Sequence, residues 1–226
     1  KIKWLDNLSE LNSIPCIFIA NEFFDALPIK QFLKKEKKWY ERHVKFINDK
    51  TLEYLDVPFD MLKFERKIKF RISYNQNFIE YSPLTTKYLK TIIQKIKHNN
   101  GGILIVDYAY FEKKMKNTLQ AVSKHKYCEV LKSFRNSDIT YNLSFNLINK
   151  IIKKLGPCSS LSTTQKKFLT KLGILDRAEI LSKNMPFSEK ADIYFRIKRL
   201  IDENQMGHLF KVMFITSHKN KFKLGF

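Results

Sequence analysis

Glycine is scarce in this chain, with six among 226 residues. None forms a glycine-rich turn between a strand and a helix, which a complete nucleotide-type or sulfonium-cofactor fold would need. Gly101-Gly102 comes closest, yet it precedes an apolar run instead of following one. Cysteine is nearly absent too: Cys16, Cys128 and Cys158 stand far apart, odd in number and without metal-ligand spacing. That pattern argues against a disulfide framework and for ordinary thiols in a reducing compartment. No apolar run approaches the ~20 residues that span a bilayer. The opening Lys1-Ile2-Lys3-Trp4 carries no secretory h-region. No membrane partner is therefore expected. No His, Cys and Asp cluster has metal spacing, and no serine or cysteine nucleophile has a recognisable companion, so no metal is expected either.

Acidic residues are the third shortage. They number 22 against 42 Lys and Arg, for a formal charge of +20. Such an excess suits nucleic acid or an acidic protein. Lysine supplies nearly all of it and is spread along the whole chain. Arginine, the bidentate reader of phosphate and guanine, occurs only at Arg42, Arg66, Arg71, Arg135, Arg177, Arg196 and Arg199. Lys, Asn and Ile are abundant together, as an AT-rich coding sequence produces by drift. Drift explains the charge more simply than nucleic acid, which would require lysines converging on one face.

What is present is globular: 44% hydrophobic and 14% aromatic residues, enough for one core or one core with an appended subdomain. Ile14-Pro15-Cys16-Ile17-Phe18-Ile19-Ala20 is a short all-apolar run of the buried parallel-strand type. Residues 29–75 then alternate in and out, predicting an antiparallel hairpin insertion. Asn48-Asp49-Lys50 forms a turn there, and a further strand is expected around Ile68 to Tyr74. Ser82-Pro83 opens a helix with Leu84, Tyr88, Leu89, Ile92, Ile93 and Ile96 as its buried stripe, ended by Asn99-Asn100-Gly101. Gly102 to Tyr108 is a second apolar strand ending on polar groups. Strand, long crossover, strand is the parallel α/β arrangement. Residues 111–145 fit loop or short elements. Helices are expected over 145–204, with Gly156-Pro157 as a stop and capping boxes at Ser162 to Gln165 and Asp176 to Glu179. Ser188 starts the last of them. Residues 208–226 predict a terminal strand pair turning at Ser217-His218-Lys219-Asn220.

The chemistry concentrates in Asn21-Glu22-Phe23-Phe24-Asp25-Ala26-Leu27-Pro28, directly after the first apolar run. In open α/β sheets, ligands gather beyond the carboxyl ends of such strands. An amide and two carboxylates interleaved with aromatic rings suit a planar cation such as a guanidinium. A purely structural reading has Asn21 and Asp25 capping while Phe23 and Phe24 pack. Asp107-Tyr108 ends the second strand and borders the same crevice; a cap is the plain alternative for Asp107. His125 is a candidate hydrogen-bond donor or base, although a lone histidine is usually structural. Asp138 and Thr140 fit a loop-fixing Asx-type turn.

These segments, in this order, resemble the MidA-type class I methyltransferases. The matching stretches are IPCIFIANEFFDALPIKQF (14–32), GGILIVDYAY (101–110), NTLQAVSKHK (117–126), SDITYNLSF (137–145), TTQKKFLTKLGILDRAEIL (163–181) and MGHLFKVMF (206–214). The resemblance covers nearly the whole chain, which in turn matches only the later part of the family's domain. It implies an α/β fold holding the later strands of a Rossmann-like sheet, with residues 1–226 as the carboxyl-terminal part of one methyltransferase domain. It also implies S-adenosylmethionine as cofactor, its main binding loop lying in the family's amino-terminal half and absent from these residues. The implied activity is protein arginine methylation, with a respiratory complex I subunit as substrate.

On that reading Glu22 and Asp25 are catalytic, Asn21 faces the cofactor, and Phe23, Asp107, Tyr108 and His125 face the substrate. Asn117, Ala109 and Ser144 depart from residues common in the family (Asp, Gly and an acid). The missing amino-terminal half is a further implied partner, and an inactive relic or split-enzyme half is the alternative function. The isolated chain is expected to bind the cofactor negligibly and to associate through the open edge of strand 14–20. The expected compartment is the cytoplasm for a bacterial protein and the mitochondrial matrix for a eukaryotic one.

Overall fold

The computed structural model describes residues 2–11, 14–48, 51–124, 126–133, 136–217 and 222–226. After a 3-10 turn at Leu8–Glu10 comes β1 (Cys16–Asn21). Past Pro28 follow β2 (Lys30–Lys35), β3 (Lys38–Asn48) and β4 (Thr51–Pro58), then α1 (Met61–Ile68) and β5 (Phe78–Tyr81). The long helix α2 (Pro83–Asn99) leads into β6 (Gly101–Tyr110). Short pieces come next: β7 (Gln120–Ser123), β8 (Lys126–Cys128), α3 (Val130–Ser133), β9 (Asp138–Thr140) and β10 (Leu143–Ser144). Then α4 (Phe145–Leu155), β11 (Cys158–Thr164), α5 (Gln165–Lys171) and α6 (Ile174–Ser182) precede α7 (Phe187–Ile201), α8 (Met206–Leu209) and β12 (Phe210–Ser217).

The main sheet has the order β1-β6-β12-β11, with β10 beside the end of β6. Strands β1 and β6 run parallel, from Cys16↔Gly101 to Asn21↔Val106, as two apolar runs joined by a long crossover should. Helix α2 starts where expected: the Ser82 hydroxyl accepts the Thr85 N–H at 3.1 Å, and Pro83 occupies the first turn. Leu89, Ile92, Ile93 and Ile96 pack its buried stripe against Ile103, Ile105, Met213 and Ile215 of the sheet, while Leu84 stays exposed. Gly101 sits at φ 112°, and a Cβ there would lie 1.9 Å from the Cys16 carbonyl oxygen. Only glycine lets the helix end so close to β1. On the opposite face α5 and α8 cover β11 and β12. They leave β1 bare: Ile17 and Ile19 are 65% and 74% exposed, and β1 pairs on one edge only among the described residues. The expectation of a strand buried on both faces therefore fails, whereas that of an open apolar edge holds.

A second sheet, β4-β3-β2-β5, carries the antiparallel segment. Its packed side gathers Phe32, Phe59, Phe64 and Tyr81, with ring centroids 4.6–5.6 Å apart. The strand expected around Ile68 to Tyr74 is instead the end of α1 and a loop, and the pairing strand is β5. Asp60 caps α1 by accepting the Lys63 N–H at 2.9 Å, and Met61, Phe64, Glu65 and Ile68 recur at helical spacing. Residues 49 and 50 of the expected hairpin turn lie outside the described residues.

The carboxyl-terminal end also differs from expectation. Strand β12 lies between β6 and β11, antiparallel to both, and the described residues 222–226 form no strand. Residues 218–221 of the expected turn lie outside the described residues. Strand β11 interrupts the segment expected to be helical. Its residues Ser159, Ser160, Ser162, Thr163 and Thr164 offer no apolar alternation, so only pairing with the apolar β12 makes it a strand. Helix α6 begins at Ile174 after Gly173 in the left-handed region (φ 77°), not at an Asp176 capping box. Strands β8, β7 and β9 form a third small sheet in that order.

Candidate active site

Strand β1 ends at Asn21 opposite Val106, β6 runs on to Tyr110, and the polar turn after β1 folds back over this part of β6. The Glu22 N–H donates to the Val106 carbonyl at 2.9 Å, which extends the parallel ladder one residue past β1. Glu22 then takes φ 46°, in the left-handed region, a strain of roughly 1–2 kcal/mol for a residue with a Cβ. The kink turns Phe24 into the core, where it is fully buried, and swings Asp25 beneath the turn. Phe23 remains half-exposed, edge-on to Phe24 at 5.1 Å and to Tyr88 of α2 at 5.3 Å. Asn21 is exposed at the strand end, its side-chain amide donating to the Glu22 carboxylate at 3.4 Å.

Asp107 is the anchor. It is fully buried within β6, one residue past the last pair with β1. Its Oδ2 accepts the Phe24 N–H at 3.0 Å, and its Oδ1 accepts the Tyr108 N–H at 3.1 Å. It is also hydrogen-bonded to the Asp25 carboxyl, and two touching carboxyls can bond only if one keeps its proton. Burial, then the Asp25 charge, pushes Asp107 up to about 8. Asp25 is also raised, by burial first and by the Glu22 charge as well. Burial and mutual repulsion thus favour a proton held between the two carboxyls. Asp25 Oδ1 is buried without a hydrogen-bond partner among the described residues, while the Asp25 backbone carbonyl accepts the Tyr141 N–H at 3.2 Å.

Among the residues singled out from sequence, Asn21, Glu22, Phe23, Asp25, Asp107 and Tyr108 thus converge at one end of the sheet. They do not bring Glu22 and Asp25 together as the carboxylate pair expected around a planar cation. The strained turn points Glu22 outward and Asp25 inward, so Asp25 pairs with Asp107 and only its charge reaches Glu22. His125 lies outside the described residues. The Tyr108 ring packs on Phe210 at 4.2 Å. Its hydroxyl is raised by burial first, then by Glu22, Tyr127 and Asp25, and is lowered by Arg199.

Tyr127 of β8 and Arg199 of α7 act on the Tyr108 hydroxyl through their charges, and no local sequence signal marked either. Glu80 of β5 is another buried acid that the alternation of β5 conceals. Its Oε1 accepts from the Gln31 amide at 2.8 Å and from the N–H groups of Thr118 and Leu119 at 3.0 and 3.2 Å. Asn117 accepts a second Gln31 bond at 2.9 Å, and Ser144 caps α4 through the Leu147 N–H at 3.2 Å. Those two departures from the family pattern are thus absorbed into loop fixing and capping.

A sulfonium nucleoside would need a cradle of backbone N–H groups, and the Gly101-Gly102 pair does not form one. Gly101 and Gly102 are spent on strand packing, where an added Cβ would strike Cys16 or Phe214. Among the described residues no His, Cys, Asp and Glu cluster could hold a metal ion, and no helix is long and apolar enough to cross a membrane.

Comparison with known proteins supplies the context. Residues 1–164 match the family model described as "Putative S-adenosyl-L-methionine-dependent methyltransferase". The chain is 25% identical over 227 residues to the mitochondrial protein arginine methyltransferase NDUFAF7 of Xenopus laevis, covering 97% of this chain and 51% of that protein. It is 28% identical over 182 residues to the Caenorhabditis elegans homolog, covering 78% of this chain and 42% of that one. It therefore spans about half the length of the curated relatives it matches. In fold it is similar to a COG1565 superfamily member from Burkholderia thailandensis crystallised with S-adenosyl-homocysteine. That match has a TM-score of 0.78 at 22% identity and covers 99% of this chain and 58% of that chain. With most of its length matched by the family model and its mixed α/β fold shared with that structure, the chain belongs to this S-adenosyl-L-methionine-dependent methyltransferase family.

Proposed function

We propose that this chain is the substrate-gripping part of an S-adenosylmethionine-dependent protein arginine methyltransferase. Its main sheet is then the later part of a Rossmann-like methyltransferase sheet. One observation carries the reading: the carboxylate of Glu22, held on a left-handed turn at the mouth of two parallel strands and tied down through Phe24 to Asp107. A carboxylate so placed accepts a guanidinium through two parallel hydrogen bonds and fixes its plane. Phe23 and Tyr108 flank it with aromatic surface, suited to the flat face of that cation. Asp25 and Asp107 keep the turn in shape, and Asn21 faces the side from which the cofactor would come. In this reading the cofactor's own cradle is assigned to another part of the family's domain, and relatives of about twice the length support that assignment.

The substrate in this reading is a protein, with a respiratory complex I subunit suggested by the mitochondrial relatives. The mitochondrial matrix is then the working compartment of a eukaryotic protein, and the cytoplasm that of a bacterial one. The test is Glu22→Gln in the chain joined to the family's cofactor-binding half, assayed by methyl transfer to arginine peptides. Loss of a charge-assisted bond predicts a fall in kcat/KM of about 10–100-fold. Unchanged turnover would refute the assignment. The bare β1 edge, with exposed Ile17 and Ile19, favours a second reading: this chain acts only when paired with another polypeptide that completes the sheet.

A further inference from the structure

Where α1, α2 and α4 meet, a groove of about 410 Å³ opens, within the size range of ligand pockets. Its lining is apolar at Ile68, Phe70, Tyr81, Ile151 and Leu155. Each of the three helices also adds lysine: Lys67 and Lys69 at the end of α1, Lys90 of α2 and Lys154 of α4. No acid lines the groove among the described residues, and none of these four lysines forms an ion pair there. Glu65 of α1 is buried and accepts the Ser73 N–H at 2.8 Å instead. Lys154 donates to the Ile68 carbonyl at 2.6 Å and to the Lys69 carbonyl, tying α4 across the end of α1. Burial, then the Lys69 charge, lowers the Lys154 ammonium, so the cations stand close enough to repel. Lys69 also holds φ 52°, a left-handed conformation that glycine adopts at less cost.

We propose that this groove docks an acidic amphipathic segment of a partner protein, with an apolar side chain in the groove and carboxylates toward the surrounding lysines. Charge complementarity selects that occupant. A fatty acid or lipid carries its charge at one end, whereas these cations come from three elements around an apolar centre. Nucleic acid would need ring faces for its bases, and Tyr81 is buried while Phe70 is half-buried. A helical segment whose apolar residue is flanked by Asp or Glu meets both features of the groove. The groove is separate from the strand-end site. Tyr88 of α2 packs on Phe23, whereas Thr86 and Lys90 lie about 200° round the helix from it. Docking there is therefore independent of the methyltransferase reading.

Fluorescence anisotropy with the full chain tests this, using a labelled peptide that repeats Leu at helical spacing among Glu residues. A scrambled peptide of the same composition keeps the charge and loses the apolar face. The ordered peptide should bind about tenfold tighter than the scrambled one. Lys67→Glu with Lys90→Glu should weaken the ordered peptide by about tenfold more than Lys45→Glu with Lys183→Glu, which removes equal charge outside the groove. Leu155→Gln should erase the advantage of the ordered peptide. Thr86→Trp, which fills the groove from α2 without touching its buried stripe, should do the same. Equal binding of the two peptides would mean general attraction to a +20 chain and overturns the proposal. Equal losses from the two lysine pairs overturn it too. Phosphatidylglycerol vesicles or oligothymidylate that lose more affinity than the ordered peptide in the Lys67 and Lys90 pair would assign the groove to lipid or nucleic acid, and the proposal fails.

Discussion

Replacing Asp107 by asparagine tests whether the strand-end turn is held by a shared proton. In the folded chain burial and the Asp25 charge push Asp107 up to about 8, against 3.8 for an ordinary aspartate. A raised acid keeps its proton in the folded state where the unfolded chain has lost it. The folded state therefore loses relative stability as pH climbs from about 4 to about 8, and the loss then levels off. Each pH unit in that window is worth at most ~1.4 kcal/mol. Relaxation around the pair reduces the whole effect to a few kcal/mol. The substituted amide carries no charge at any pH and can still donate to Asp25 and accept the Phe24 N–H. It gives up the acceptor for the Tyr108 N–H, a fixed cost of ~1–2 kcal/mol. Asp107→Asn should thus be the less stable protein at pH 5 and the more stable at pH 8, with the curves crossing between. Urea unfolding at pH 5, 6.5 and 8 reads this directly, provided the slope with denaturant is unchanged. Curves that stay parallel over that range would show that the two carboxyls share no proton.

Two further outcomes follow from the sheet. Gly101→Ala places a methyl group against the Cys16 backbone at a positive φ. It should cost about 3 kcal/mol or more, visible as a large fall in melting temperature by circular dichroism; a fall under ~1 kcal/mol would contradict the β1–β6 packing. The double change Ile17→Lys and Ile19→Lys puts charge on the uncovered face of β1, where wild-type chains should associate. Sedimentation velocity should show wild-type oligomers shrinking to monomer while stability shifts by only ~0.5 kcal/mol per site. Persisting oligomers would place the association surface elsewhere.

Sequence alone determined the elements whose residues agree with one another locally. The apolar runs before Asn21 and Asp107 could only be strands. The Ser82-Pro83 start and the 3.6-period stripe through Ile96 could only be a helix, and the polar cluster after β1 had to sit at a strand end. The family resemblance was legible because short contiguous stretches carry it. Tertiary structure decided everything that depends on a partner distant in the chain. Strand β11 is polar and becomes a strand only through pairing with β12. Glu80 becomes a buried anchor only because Gln31, Thr118 and Leu119 bring donors to it from other segments. Above all, Glu22 and Asp25 lie three residues apart and read as one acidic pair. The left-handed kink at Glu22 separates them, giving one carboxylate to solvent and the other to Asp107, because a buried carboxyl must find its hydrogen-bond partner wherever the fold brings one.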